Sequence, residues 1–585
     1  MLKSLRPDAV YDKIYVISGN TNLSDLVRNL SRGLEARVTM LSLVGGDRSW
    51  REDPDGMTLE VGVRFDPDLH WKPSTLGPLA NCDTAPEFRQ FWGERSQLRR
   101  FQDGVVREVV VWGTEDTVTD VVTAVLARHH KGCHLQNQGD DLEVLLTGDG
   151  GLAARKVLDR LVPVLYGLDQ LSLKVAGVAS VGQQGRSSLV SDCQVLEVGG
   201  KVVKEEFGVA KLTSKAGMAA RYVEPLDVVL VAEHSGKWPK DPEARRRVEL
   251  AWLMEVGKCL SKKQPGLVTK VMGESLIVMM EDQVLRFTAG QSRSSLSEIS
   301  SWLASIDSSL PAWSGCVRLA QRWLASHLMS SVPDIAVEVS VAVVLASLPL
   351  PPASPTPAFI SWLHTLATHD WNTTILPHPS LADEAGQLDR SQLPPLAVLC
   401  PHSPSPCHWT QGVTWPELQR MVSLASKCLN TLGLRDTRCL DTFFSPNLEC
   451  YDALIHLKPL QVPNRHLSVS NLIESKDKSK PIKNSEISQI IPILSHNCVS
   501  KYVSLLNTCY GTIAKFYYDK FGGTVIGVKI IESSSENKMK LSDIQGRMLS
   551  QDKVVTNWGA VTEDWSILGE GLVKNVEIFN TDIML

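Results

Sequence analysis

The sequence predicts an α+β multidomain protein in which a small sheet domain is followed by a helical domain, with a related α+β domain on either side. Three observations carry that expectation. The chain has 585 residues, 43% hydrophobic and 21% charged, enough for several ordinary cores, because single cores rarely grow past about 250 residues. Period-two strands alternate with helical stretches at both ends. Finally, Tyr11-Asp12 opens the strand YDKIYVI and Tyr451-Asp452 opens YDALIHL. Each is followed by an aromatic, Asp, Gly and an apolar strand, Phe101 to Trp112 in one case and Phe516 to Ile530 in the other. Landmarks recurring in one order predict two copies of one module bracketing the rest, with chance recurrence as the alternative.

The first unit, residues 1–146, reads as YDKIYVI, a helix through Leu23 to Leu34, the strands RVTMLSLV and LEVGVRF, a Pro- and Gly-rich loop from Asp66 to Cys82, a helix from Asp116 to His129 and a linker near Gly139 to Gly150. Within it, FWGERSQLRRFQDGVVREVVVW (Phe91 to Trp112) places Asp103-Gly104 before a Val-rich strand. That is a tight turn with Gly104 at positive φ.

The second unit, 147–292, runs through a helix from Ala153 to Leu168, LSLKVAGVASV, LDVVLVAE, a long helix from Pro242 to Leu260 and the strands LVTKVMG, SLIVMM and VLRFTA. Strand, helix, strand, strand around a small sheet is the layout of a nucleotidyltransferase core. Two-metal nucleotidyl transfer needs carboxylates at i and i+2 on one strand face and a third from a neighbouring strand, after a Gly-Ser turn that cradles the triphosphate. Here Asp227 is followed by Val229, the next acid is Glu233, the neighbouring strands offer only Glu274, and Ser235-Gly236 lies after the acid. The sheet is therefore read as degenerate and non-catalytic. Asp66 and Asp68 have i, i+2 spacing, but Pro67 between them indicates a surface turn. No P-loop, HExxH, GxSxG or strand-to-helix GxGxxG occurs.

The third unit, 293–430, is helical. Leu319, Ala320, Trp323, Leu324, His327 and Leu328 form one stripe, with Arg318 and Arg322 on its flank as snorkelling surface groups. A Pro-rich turn at Leu350-Pro351-Pro352 precedes the helix FISWLHTLATHDW. Cys400, His402, Cys407 and His408 are zinc-type ligands, but C-x-H-x4-C-H is not a finger spacing and the adjacent Cys407 and His408 do not readily share one tetrahedral ion. Neither metal nor cofactor is expected. The fourth unit, 431–585, carries YDALIHL, a helix from Val499 to Tyr510, TVIGVKII and, after DWSILGEG, LVKNVEIF.

The net charge of -5 excludes a protein that coats nucleic acid by bulk electrostatics, so RNA contact requires local basic patches. Between Lys458 and Lys540, 12 Lys+Arg stand against 6 Asp+Glu, which reads equally as a solvated surface. Twelve cysteines without a CxxC pair fit free thiols in a reducing compartment. The longest apolar run, Ala336 to Leu350, contains Glu338 and at 15 residues falls short of the roughly 20 a bilayer needs. Clusters at Arg245 to Arg247 and Lys476 to Lys483 have the composition of nuclear-import signals.

The order FWG, LRRFQDG and an apolar strand ending in Trp112 resembles the signature of the Nrap family. So do GLDQLSLKV, HSGKWPKD, the RLAQRW helix, the THDW ending at Trp371 and DWSILGEGLV. The resemblance covers nearly the whole chain and begins about half way through the family's length. Gln183 to Gly217 departs from the family pattern. The resemblance implies a nucleotidyltransferase-like domain without catalysis, a helical domain like that of poly(A) polymerases and oligoadenylate synthetases, and two related α+β domains. It further implies a nucleolar scaffold of the small-subunit processome that binds pre-rRNA. The expected protein partners are a ribosomal RNA-processing protein and casein kinase II, and no membrane is involved. Candidate RNA or partner contacts are Arg99, Arg100, Lys237, Lys240, Arg318, Arg322, Lys476, Lys478 and Lys480. An RNA nucleotidyltransferase with an unrecognised site, or a truncated nonfunctional copy, remain the alternatives.

Overall fold

The computed structural model describes residues 11–19, 21–43, 51–53, 56–66, 68–101, 104–113, 117–136, 146, 151–190, 200–206, 209–214, 225–235, 238–264, 266–281, 283–290, 295–433, 443–462, 497–531, 547–550 and 553–579. The chain divides into two compact units, one formed by Met1–Val144, Leu310–Ala312 and Leu348–Ser361, the other by Leu145–Ser309, Trp313–Ser347 and Trp362–Leu585.

In the first unit β1 (Lys13–Ser18) leads to α1 (Leu23–Leu34), β2 (Val38–Leu43), β3 (Arg51–Asp53) and β4 (Gly56–Phe65). These are followed by β5 (Ser74–Leu79), α2 (Ala85–Trp92), β6 (Gln97–Arg100), β7 (Val106–Val111), α3 (Thr117–His129) and β8 (His134–Gln136). The main sheet has the order β2-β4-β1-β8 with β3 beside β4, and β5-β7-β6 form a second sheet. Asn22 caps α1 by accepting from the backbone N–H groups of Ser24 and Asp25. Leu26, Leu30 and Leu34, at four-residue spacing, meet Tyr15 and Ile17 of β1, Leu59, Val61 and Val63 of β4, and Val121 and Val125 of α3 in one core. The Pro- and Gly-rich stretch expected as loop contains β5, because Thr75 pairs with Val110 across the ladder while Pro78 sits at the bulge.

The second unit begins with α4 (Leu152–Tyr166), β9 (Val175–Ser180), the hairpin β10 (Gly200–Glu206) and β11 (Val209–Ser214), β12 (Leu226–Ala232) and α5 (Pro242–Lys263). It continues through β13 (Val268–Met272), β14 (Ser275–Met280) and β15 (Gln283–Gly290). The sheet order is β13-β14-β15-β12-β9, and β12 runs parallel to β15. Leu226, Val228 and Leu230 of β12 are all fully buried, so alternation turns Asp227 to the opposite face. Asp241 caps α5 and Pro242 occupies its first turn.

The helical stretch contains α6 (Ser295–Ser309), α7 (Trp313–Ser326), α8 (Asp334–Ser347), α9 (Pro355–Thr368), the two-residue strands β16 (Leu376–Pro377) and β17 (Val398–Leu399), the short α10 (Ala382–Ala385) and α11 (Trp415–Gly433). Last come β18 (Ala453–Leu457), α12 (Cys498–Tyr510), β19 (Ala514–Tyr518), β20 (Val525–Ile530), the hairpin β21 (Arg547–Ser550) and β22 (Lys553–Thr556), α13 (Trp558–Leu568) and β23 (Val573–Ile578). Their sheet order is β19-β20-β18-β23.

The two terminal modules are copies of one design. Each is a split β-α-β-β-α-β arrangement, with β18, α12, β19, β20, α13 and β23 standing where β1, α1, β2, β4, α3 and β8 stand in the other. The Tyr-Asp pairs do the same work in both. A Cβ on Gly62 of β4 would lie 2.5 Å from the Tyr11 ring, and one on Gly527 of β20 would lie 2.7 Å from the Tyr451 ring. The Asp12 carboxylate accepts from the Phe65 N–H at 2.6 Å and the Asp452 carboxylate from the Ile530 N–H at 2.8 Å, each three residues beyond that glycine. The second sequence landmark was mismatched, however. Phe516 to Ile530 spans β19 and β20, whose counterparts are β2 and β4, whereas Phe101 to Trp112 belongs to the separate β5-β7-β6 sheet. An aromatic, Asp, Gly, strand pattern reports a hairpin turn and does not say which hairpin.

Candidate functional site

The face of the nucleotidyltransferase-like sheet that would hold metal ions carries Asp227 on β12. Arg286 of β15 is its direct neighbour in the parallel ladder. Its Nε donates to Oδ1 at 2.6 Å and its Nη2 to Oδ2 at 2.8 Å, so a planar guanidinium engages both carboxylate oxygens. Glu233 lies beyond the end of β12, and Glu274 in the β13–β14 turn is 76% exposed, 3.9 Å from Arg246. Among the described residues no three His, Cys, Asp or Glu side chains converge as a metal site. Asp66 and Asp68 form a turn in which Asp66 accepts from the Asp68 and Leu69 N–H groups.

The segment after β9 turns through Gln183–Arg186 and folds inward. Arg186 donates to the Val181 carbonyl at 3.0 Å and the Ser300 hydroxyl at 2.8 Å. It also pairs with Glu338 of α8 at 2.8 Å, both side chains being at most 5% exposed. Ser188 donates to the other Glu338 oxygen. Burial holds the Glu338 carboxyl above the usual carboxylate range, against the opposing pull of Arg186. Sequence reasoning missed both Arg286 and Arg186. The signal available was Glu338, a lone acid in an apolar run, which requires a buried cation.

The signature segment of the first unit contains the antiparallel β6–β7 hairpin. Arg99 and Arg100 of β6 are exposed, and Arg99 faces Arg107 across the ladder. Gly104 has φ +81°, as its Asp-Gly setting predicts. The preceding Phe-Trp-Gly has a separate reason. Gly93 has φ +58°, and a Cβ there would meet Arg128 Nη1 at 2.1 Å. The Arg128 guanidinium crosses this point to donate to the Gln90 carbonyl at 2.7 Å. Phe91 stacks on His129 with ring centroids 4.5 Å apart and carries Arg32 over its face at 4.7 Å. An open groove of about 720 Å³ runs past Phe91, Arg95, Arg128 and Lys131.

The remaining candidates do not assemble with these. Lys240 is exposed before α5. Arg318 is half-buried and donates to the Leu146 carbonyl at 3.3 Å. Arg322 overturns its expectation as a surface contact. It is 1% exposed, because α7 is buried on its polar flank as well as along its apolar stripe. Lys237, Lys476, Lys478 and Lys480 lie outside the described residues. Cys400 and Cys407 are buried thiols pushed up to about 12 and about 11, while His402 is exposed. Burial thus opposes the thiolates that a zinc site would need.

Four family models match along the chain: Nrap protein domain 3 over residues 7–131, Nrap protein nucleotidyltransferase domain 4 over 146–286, Nrap protein PAP/OAS1-like domain 5 over 310–446 and Nrap protein domain 6 over 448–576. Nucleolar protein 6 of Mus musculus and that of Homo sapiens are each 30% identical to it, with 95% of this chain and 55% of the relative covered. The chain thus spans about half the length of the curated relatives it matches. Among solved structures, the Cid1 poly(U) polymerase aligns with 52% of this chain and 97% of its own at 11% identity and a TM-score of 0.32.

Proposed function

The chain belongs to the Nrap family, and on that premise we propose that it is a non-catalytic, RNA-binding scaffold of the small-subunit processome, acting in the nucleolus in pre-18S rRNA processing and ribosome biogenesis. Its relatives' name, nucleolar protein 6, supports the nucleolar role. The observation that carries the non-catalytic reading is the Asp227–Arg286 pair. A guanidinium bound to both oxygens of the one correctly placed carboxylate puts positive protein charge where two-metal chemistry needs cations held by three acids. The inward-folded Arg186 segment supports the same reading, since a loop tied to α8 is not free to cradle a triphosphate.

In this role the polymerase-like domains serve as binding surfaces for pre-rRNA and for processome proteins, a ribosomal RNA-processing protein and casein kinase II among them. Arg99, Arg100 and Lys240 are the exposed described candidates for contact.

The test is nucleotide incorporation by the purified chain on an RNA primer, with each nucleoside triphosphate and with magnesium or manganese. The expected result is background incorporation for the wild type and equally for Arg286→Ala, because freeing Asp227 restores neither missing carboxylate. Incorporation that Asp227→Asn abolishes would contradict the proposal and favour the enzyme.

A further inference from the structure

We propose that the β5-β7-β6 sheet and its hairpin form a protein-docking surface that takes an acidic, aliphatic-rich segment of a partner polypeptide. The inference rests on the scaffold reading in one respect only, that the chain works by holding partners.

The sheet has no three-stranded counterpart in the C-terminal copy of the module. It lies between β4 and α3, an interval the C-terminal copy fills with the two-stranded β21–β22 hairpin. One face is spent on the core, where Thr75, Glu108 and Val110 are at most 2% exposed. Paired residues of an antiparallel ladder share a face. Around the buried Val109, the opposite face therefore presents Leu76 and Val111, 57% and 42% exposed, beside the exposed Arg99 and the half-buried Arg107. Leu79, paired with Arg107 and so on the same face, is 45% exposed, and Phe101 at the hairpin turn is 37% exposed. A solvated sheet face ordinarily carries polar side chains, and a cluster of exposed apolar ones marks an interaction surface.

Charge decides the occupant. The exposed charges described on β5, β6 and β7 are arginines, and the single acid, Glu108, is buried and bonded to Ser96 at 2.7 Å and Arg89 at 3.3 Å. An apolar patch rimmed by arginine has the composition of a protein interface and repels basic partners. RNA-binding sheets rely on aromatic rings to stack bases, whereas the apolar side chains here are aliphatic apart from Phe101.

The test titrates the full chain with a fluorescein-labelled peptide of alternating glutamate and valine, and separately with labelled oligouridylate, following anisotropy. Wild type is compared with Arg99→Glu/Arg107→Glu and with Leu76→Ser/Leu79→Ser, circular dichroism serving to confirm that each variant is folded. The expected result is saturable peptide binding weakened about tenfold or more in both variants, no binding of a lysine-valine peptide, and oligouridylate affinity unaltered. Absence of saturable peptide binding, or equal affinity in both variants, would overturn the inference. A loss confined to oligouridylate would make the hairpin an RNA platform instead. Recovery of processome components by a chain that fails here would sink the docking surface and leave the scaffold standing.

Discussion

At the scale of single residues the chain is governed by buried polar groups more than by any reactive one. Removing one partner of the Arg186–Glu338 pair leaves a full charge in the core of the second unit, so Glu338→Gln should cost about 3–5 kcal/mol. Arg186→Met/Glu338→Leu should recover much of that loss, as read by urea unfolding followed through tryptophan fluorescence. His327 carries a pH dependence. It is 4% exposed, hydrogen-bonded through Nε2 to the Phe443 carbonyl at 2.8 Å, and burial pushes it down to about 4 from 6.5. Since the folded state binds the proton less well than the unfolded chain, this contribution is complete above pH 6.5 and is lost as pH falls through 4, roughly 3 kcal/mol in all. His327→Gln should flatten the fall in urea midpoint over that window. A variant with the wild-type slope would show that His327 is not its source.

At the scale of elements, what the sequence disclosed depended on how local the cause was. The helix Leu23–Leu34 and the strands β1, β12 and β20 follow from apolar spacing alone, and Gly104 follows from its Asp-Gly turn. Arg322 was misread because a helical stripe predicts one buried face, and nothing local reveals that α7 is enclosed on the other sides. Arg286 was missed because its partner is 59 residues away and meets it only through strand order. The two glycines of the signature segment separate local from tertiary causes. Gly104→Ala meets nothing within 4 Å and bears only the strain of positive φ, about 1 kcal/mol. Gly93→Ala, at φ +58° and ψ −130° outside the left-handed well, bears a larger backbone strain and also collides with Arg128. Thermal unfolding should therefore place Gly93→Ala clearly below Gly104→Ala, and Arg128→Ala should narrow the gap. Equal melting temperatures would remove the Arg128 crossing as the reason for glycine there.

At the scale of the whole chain, the Tyr-Asp repeat was the part of the architecture most legible in advance. The pair holds a local strand junction in each copy, by ring on glycine and carboxylate on N–H, so it persists where the surrounding sequence differs. The insert sheet of the first copy was not legible as an insert, since hairpin signals look alike wherever they fall. The central claim is that polymerase-like domains here hold an assembly together without catalysing anything. The most direct measurement is to recover the tagged chain from nuclear extract, with and without RNase, and to identify the RNA and proteins retained. The expected result is pre-18S rRNA with processome proteins, the part that survives RNase being held by protein contacts. A folded chain that recovers neither would contradict the scaffold account.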